Sequence, residues 1–214
     1  MKNTKCIIFD CDGVLVDSEA IGHSILLSMA AEHGLNMTME QAIKEFNGRG
    51  LKDCFQQIEK IVGKKLPGDF ETIYRQRTFK AFSTQLKPIN GAIAFVNSLS
   101  ISYCVASSGP LEKIRLGLTA TGMLSQFENK MFSSYQINSW KLNPEIFLFA
   151  AREMGFLVSE CVVIEDSVAG VIAAVTGGFK VFGFANELTA EALVNEGAIV
   201  FYNFEELSKM LGAF

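Results

Sequence analysis

The 214-residue sequence predicts an α/β protein with a doubly wound, Rossmann-like parallel sheet and an inserted helical cap domain. Three observations point there. Short apolar runs alternate with helical segments in 1–17 and 86–214, which are expected to form the α/β core. Between them, 18–85 carries helical periodicity with no strand pattern, and is expected to form the cap. The apolar runs that matter most end in acidic or hydroxyl residues, and ligands bind beyond the carboxyl ends of such strands.

Cys6-Ile7-Ile8-Phe9 is a continuous apolar run ended by charge, which reads as a fully buried parallel strand. Ile21, Ile25, Leu26, Met29 and Ala30 recur at helical spacing, with Gly34 as a stop. Further helices are expected over Glu40–Phe46 (ended by Asn47-Gly48), over Leu51–Val62 with Phe55, Ile58 and Ile61 on one face, and over Asp69–Phe82 with Asp69 as cap. Pro88 marks the return to the sheet. A helix over Gly91–Leu99 precedes the strand Tyr103–Ala106, and a helix over Leu111–Thr121 precedes a weak strand at Lys130–Ser133. A helix over Pro144–Met154, the strand Cys161–Ile164, a helix over Val168–Val175 and the strand Lys180–Gly183 follow. Ile199–Phe201 and a helix over Phe204–Leu211 close the chain.

Composition narrows the class. With 49% hydrophobic and 20% charged residues the chain is an ordinary globular protein. Its formal charge of −4 argues against nucleic acid or an anionic membrane as partner. Cys6, Cys11, Cys54, Cys104 and Cys161 have no metal-ligand spacing, and a reduced, cytoplasmic protein is expected. No apolar run suits a signal peptide or a membrane span.

Asp10 and Asp12 lie two residues apart where the first strand should end. If strand geometry persists they share a face, and two carboxylates together call for a divalent cation. Gly13 then allows a sharp turn and close approach to a ligand. The other polar groups expected at strand ends are Ser107-Ser108, Lys141 and Glu165-Asp166. Taken singly, these read as helix caps or a solvated lysine. In the helical segment, Asn47-Gly48-Arg49-Gly50 reads either as a turn with an exposed arginine or as a loop whose Arg49 contacts an anionic substrate. Lys52 is the neighbouring candidate.

The motifs Asp10-Cys11-Asp12, Ser107-Ser108, Lys141-Leu142-Asn143-Pro144 and Glu165-Asp166-Ser167 stand in the order of the haloacid dehalogenase-like superfamily, which the chain resembles over nearly its whole length. In detail it is similar to the branch of β-phosphoglucomutases and sugar-phosphate phosphatases, above all the 6-phosphogluconate phosphatases. Leu142 departs from the Lys-Pro-x-Pro common at the third motif.

That resemblance implies a phosphoric monoester hydrolase acting on a small phosphorylated metabolite, a sugar or sugar-acid phosphate. Asp10 would be the nucleophile and Asp12 the general acid/base. Ser107, Ser108 and Lys141 would bind the transferring phosphoryl group. Mg²⁺ would be held by Asp10, the Asp12 carbonyl and Asp166, with Glu165 beside it. Arg49 and Lys52 would meet the substrate, and the chain would act as a monomer or weak homo-oligomer. A phosphosugar mutase stays open, and more remotely a non-catalytic phospho-ligand binder or a phosphoacceptor domain. β-Phosphoglucomutases carry a histidine at the position of Gly22, which argues for hydrolysis.

Overall fold

The computed structural model describes residues 4–46 and 50–212. The chain divides into two compact units, Met1–Asp17 with Lys87–Phe214, and Ser18–Leu86. Strand β1 (Cys6–Phe9) opens the first unit, and all four of its residues are fully buried, as a central parallel strand requires.

The second unit holds helices α1 (Glu19–Ala31), α2 (Met39–Phe46), α3 (Leu51–Val62) and α4 (Phe70–Gln85). Leu26, Met29, Ala30, Phe46, Ile58 and Phe70 form its core. Helix α2 begins with a reciprocal cap: the Gln41 side chain accepts from the Thr38 N–H at 2.8 Å, and the Thr38 hydroxyl accepts from the Gln41 N–H at 3.2 Å. Gly63, at φ +70°, ends α3. Two details differ from the sequence pattern. Cys54 is buried in α3 while Ile61, in its last turn, is 46% exposed. Asp69 precedes α4 in a conformation from which its side chain caps nothing among the described residues.

The chain leaves and re-enters the first unit along a paired crossing. The Asp17 N–H donates to the Lys87 carbonyl at 2.9 Å and the Ile89 N–H to Leu15 at 3.0 Å, with Val16 and Pro88 bridged antiparallel. There follow α5 (Ala92–Ser98), β2 (Ser102–Ser107), α6 (Leu111–Ala120), α7 (Leu124–Phe127), β3 (Met131–Ser133), α8 (Ser134–Ile137) and α9 (Glu145–Glu153). Then come β4 (Cys161–Glu165), α10 (Val168–Thr176), β5 (Lys180–Phe184), α11 (Ala190–Asn195), β6 (Ile199–Phe201) and α12 (Phe204–Leu211). The short helices α7, α8 and α11 have too few turns for a hydrophobic period to betray them.

The described strands form one parallel sheet ordered β3-β2-β1-β4-β5-β6, the doubly wound α/β fold expected from the sequence. Alternate residues of β1 feed the two faces. Cys6 and Ile8 join Cys104, Ala106, Val163, Phe147 and Val171 on one side. Phe9 stacks edge-on against Phe95, at 6.1 Å between centroids, and Phe127, at 6.0 Å, on the other. The five cysteines are buried thiols. Among the described residues, no helix is long and apolar enough to cross a membrane.

Register then positions the site. Phe9 pairs with Val105 of β2 and with Ile164 of β4. Asp10, Ser107 and Glu165 therefore emerge at the same end of three adjacent strands. The order reverses between β1 and β4, the switch point at which α/β sheets open a crevice.

Candidate active site

Asp10 follows β1 with its N–H donated to the Ile164 carbonyl at 2.9 Å, which ties it to β4. The residue is only 5% exposed. The chain then turns tightly: Leu15 and Val16 both donate to the Cys11 carbonyl at 3.0 Å, and Gly13 donates to Val16 at 2.9 Å. Gly13 sits at φ +79°, and a Cβ there would overlap the Asp166 carboxylate. The absence of a side chain at 13 is what gives Asp166 its place.

Lys141 is the central cation. Its side chain is 7% exposed, so it is no surface lysine. Its Nζ bonds the Asp10 Oδ1 and the Glu165 Oε1, and lies 5.1 Å from the centre of the Phe147 ring. Burial alone would weaken the charge of Lys141; the two carboxylates outweigh that and push its pKa up. Asp10 responds the other way. Burial pushes its pKa from 3.8 to about 7 against the pull of Lys141, with Glu165 and Asp12 adding to the rise.

Glu165 ends β4 and is fully buried. Its Oε2 accepts from the Ser167 N–H at 2.6 Å and the Ser167 hydroxyl at 2.9 Å. Ser167 in turn accepts from the Gly170 N–H at 3.1 Å, capping α10. Ser167 is thus the cap, not the acidic pair before it. A Cβ at Gly170 would overlap the Glu165 carboxylate, so the helix must present a glycine there. Both Glu165 oxygens are committed to protein donors.

Asp10, Glu165 and Asp166 offer oxygens that all lie within 4.8 Å of one another. Such all-oxygen donors suit a hard divalent cation, and the Gly13 cradle makes the room. The Asp12 carboxylate is not in this group. It pairs instead with Lys113 of α6, Oδ2 to Nζ 2.8 Å. The strand stops at Phe9 and the next residues turn, so strand geometry does not persist through both aspartates; the Asp12 charge still adds to the rise in the Asp10 pKa.

The β2–α6 loop follows the strand next to β1. Ser107 is 2% exposed and its hydroxyl accepts from the Gly109 N–H at 3.0 Å. The buried Ser133 donates to the Gly109 carbonyl at 2.7 Å. Pro110 precedes α6, so neither serine of the Ser107-Ser108 pair is its cap. Ser108 is half-buried. Trp140 packs edge-on against Tyr135 at 5.5 Å beside the Lys141 loop. Lys52 is an exposed residue in the first turn of α3, in the helical unit. Arg49 lies outside the described residues.

Sequence reasoning missed Lys113 and Ser133 as parts of this arrangement, and placed Ser167 in a motif without assigning it a role. Lys113 left a readable signal. A lysine in the first turn of a helix opposes the helix dipole, and such a residue calls for a local acidic partner.

The family model for "Haloacid dehalogenase-like hydrolase" matches residues 7–184. The 6-phosphogluconate phosphatase of Escherichia coli (strain K12) is 31% identical over 211 residues, covering 98% of this chain and 96% of the relative. A phosphorylated carbohydrates phosphatase of Thermotoga maritima is 25% identical, covering 97% and 98%. A solved haloacid dehalogenase-like protein of unknown function from Agrobacterium tumefaciens superposes with a TM-score of 0.90 at 27% identity, covering 97% of each chain. The chain belongs to the haloacid dehalogenase-like hydrolase family. Within it, the chain is a phosphoric monoester hydrolase.

Proposed function

We propose that this chain is a Mg²⁺-dependent phosphatase for a small phosphorylated metabolite, a sugar or sugar-acid phosphate, working through an aspartyl-phosphate. One observation carries the reading. Asp10, at the end of the central strand, is a buried carboxylate held between Lys141 and an acidic group. The relatives named for 6-phosphogluconate and for phosphorylated carbohydrates support the substrate class.

The Asp10 Oδ attacks phosphorus, and the bond from phosphorus to the ester oxygen breaks. Asp12 gives its proton to the leaving alkoxide, then takes one from the water that attacks the aspartyl-phosphate and frees inorganic phosphate. Lys141 offsets charge on the transferring oxygens, and Glu165 holds Lys141 in place. Ser107 and Ser108 line the same loop and contact the phosphoryl group. Mg²⁺ would be held by Asp10, Asp166 and the Asp12 carbonyl, where it keeps Asp10 ionised and balances the phosphoryl charge. Glu165, with both oxygens engaged by Lys141 and Ser167, suits a role behind these ligands.

The unit Ser18–Leu86 acts as the cap that selects substrate, with Arg49 and Lys52 as its anion contacts. The buried thiols suit a cytoplasmic enzyme, working as a monomer or weak homo-oligomer. The test is a screen of sugar, sugar-acid and polyol phosphates with Mg²⁺ or EDTA. Release of phosphate from a member of this panel, lost in EDTA, is expected; turnover that persists in EDTA or no turnover at all refutes the reading.

A further inference from the structure

We propose that Lys113 is the positioning residue for Asp12, holding that carboxylate where it serves the leaving oxygen; the inference rests on the phosphatase reading above. The observation is the pair itself, Nζ to Oδ2 2.8 Å, between residues 101 apart in sequence. Both side chains are only about a quarter exposed, 27% and 29%, so solvent does not fully screen the contact.

The surroundings are built to present Lys113. It stands in the first turn of α6, where the helix dipole works against a cation, and the Asp12 carboxylate offsets that cost. The loop before it is fixed at both backbone groups of Gly109, whose N–H goes to Ser107 and whose carbonyl accepts from Ser133. A Cβ at Gly109 would come within 3.3 Å of the Lys113 Cδ, so the lysine stem crosses the loop over the one residue with no side chain. Two buried hydroxyls thus hold the loop that the Lys113 stem crosses, and its ammonium group meets Asp12.

Lys141 cannot take this role, because it is spent on Asp10 and Glu165. The site therefore separates its two aspartates by giving each its own lysine. An aspartate anchored through Oδ2 keeps a fixed direction for proton transfer. Loss of this contact shifts the carboxylate, and misplacement by about an ångström lowers rate steeply.

The test uses Lys113→Met and Lys113→Arg in the full chain with Mg²⁺. Two kinds of substrate are compared: individual alkyl phosphates, 6-phosphogluconate among them, and p-nitrophenyl phosphate. An alkoxide needs the acid to leave, whereas nitrophenolate leaves with much less help. Lys113→Met is expected to lower kcat on the alkyl phosphate by about 10–100-fold with KM within threefold. The first-turnover burst of nitrophenolate should fall at least tenfold less, and Lys113→Arg should restore most of the loss. A rise in KM at unchanged kcat overturns the inference, because Lys113 would then bind substrate. Equal losses on both substrates, or kcat equal to wild type on both, overturn it as well. A wild-type enzyme that releases phosphate from neither kind of ester sinks the phosphatase reading and this inference with it. Thermal melts of the variants separate loss of fold from loss of position.

Discussion

Replacing Asp10 by asparagine should make the metal-free protein more stable at alkaline pH while abolishing turnover. Asp10 is buried beside Glu165 and within reach of the Asp12 charge, and its pKa rises from 3.8 to about 7. The native state therefore holds that proton more tightly than the unfolded chain does. Between about pH 4 and 7 the unfolded chain gives up its proton first, so stability falls as pH rises through this window and levels above it. The span corresponds to roughly 4 kcal/mol at about 1.4 kcal/mol per tenfold change in affinity. An asparagine at this position has no proton to lose and escapes the penalty. In urea titrations with EDTA, the stability of Asp10→Asn relative to wild type should climb by several kcal/mol between pH 4 and 8. Mg²⁺ at about a hundredfold excess over its Kd should offset more than half of the fall in wild-type stability, since it adds about 2.7 kcal/mol to the state that binds it. A difference between the two proteins that stays constant within about 1 kcal/mol from pH 4 to 8 would refute a destabilised carboxylate at this position.

Gly13→Ala should cut the stabilisation by Mg²⁺ in thermal melts and lower activity at least tenfold, because a Cβ there takes the place of the Asp166 carboxylate and φ is +79°; an unchanged Mg²⁺ response speaks against Asp166 as a ligand. Lys141→Met should destabilise the metal-free protein by about 3–5 kcal/mol at pH 8, since Asp10 and Glu165 lose their shared cation, and a urea titration reads this directly.

The sheet was legible because β1, β2, β4 and β5 are buried runs whose composition admits little else. Asp10 and the Glu165-Asp166 pair were legible because they end apolar runs, and Lys141 because it opens a motif. Division of labour among them was not. That Asp12 pairs with Lys113 of α6 could not be read from the strand pattern, because the partner lies 101 residues away. Glu165 illustrates the same limit. Its spacing before a helix suggests a capping acid, but the helix is capped by Ser167, which leaves Glu165 to bind Lys141. Such choices are made by pairs distant in sequence, and local propensity has no purchase on them.

The hydrolase should not isomerise sugar phosphates. A mutase must keep water from its aspartyl-phosphate while the sugar turns over, and the β-phosphoglucomutases the chain resembles place a histidine at the position of Gly22. Here a Cβ at Gly22 would stand 3.1 Å from the Tyr74 hydroxyl of α4, so any side chain at 22 requires that hydroxyl to shift by a few tenths of an ångström. His23 does not replace it, because it lies about 100° further round the helix, and burial lowers its pKa toward the neutral form. Supplied with β-glucose 1-phosphate and glucose 1,6-bisphosphate, the enzyme should therefore release free phosphate faster than it forms glucose 6-phosphate. Gly22→His alone should not reverse that order, since the imidazole enters beside the Tyr74 hydroxyl, which must shift to admit it. Glucose 6-phosphate appearing ahead of phosphate in the wild-type protein would show that water is excluded by some other group, and the hydrolytic assignment would fall.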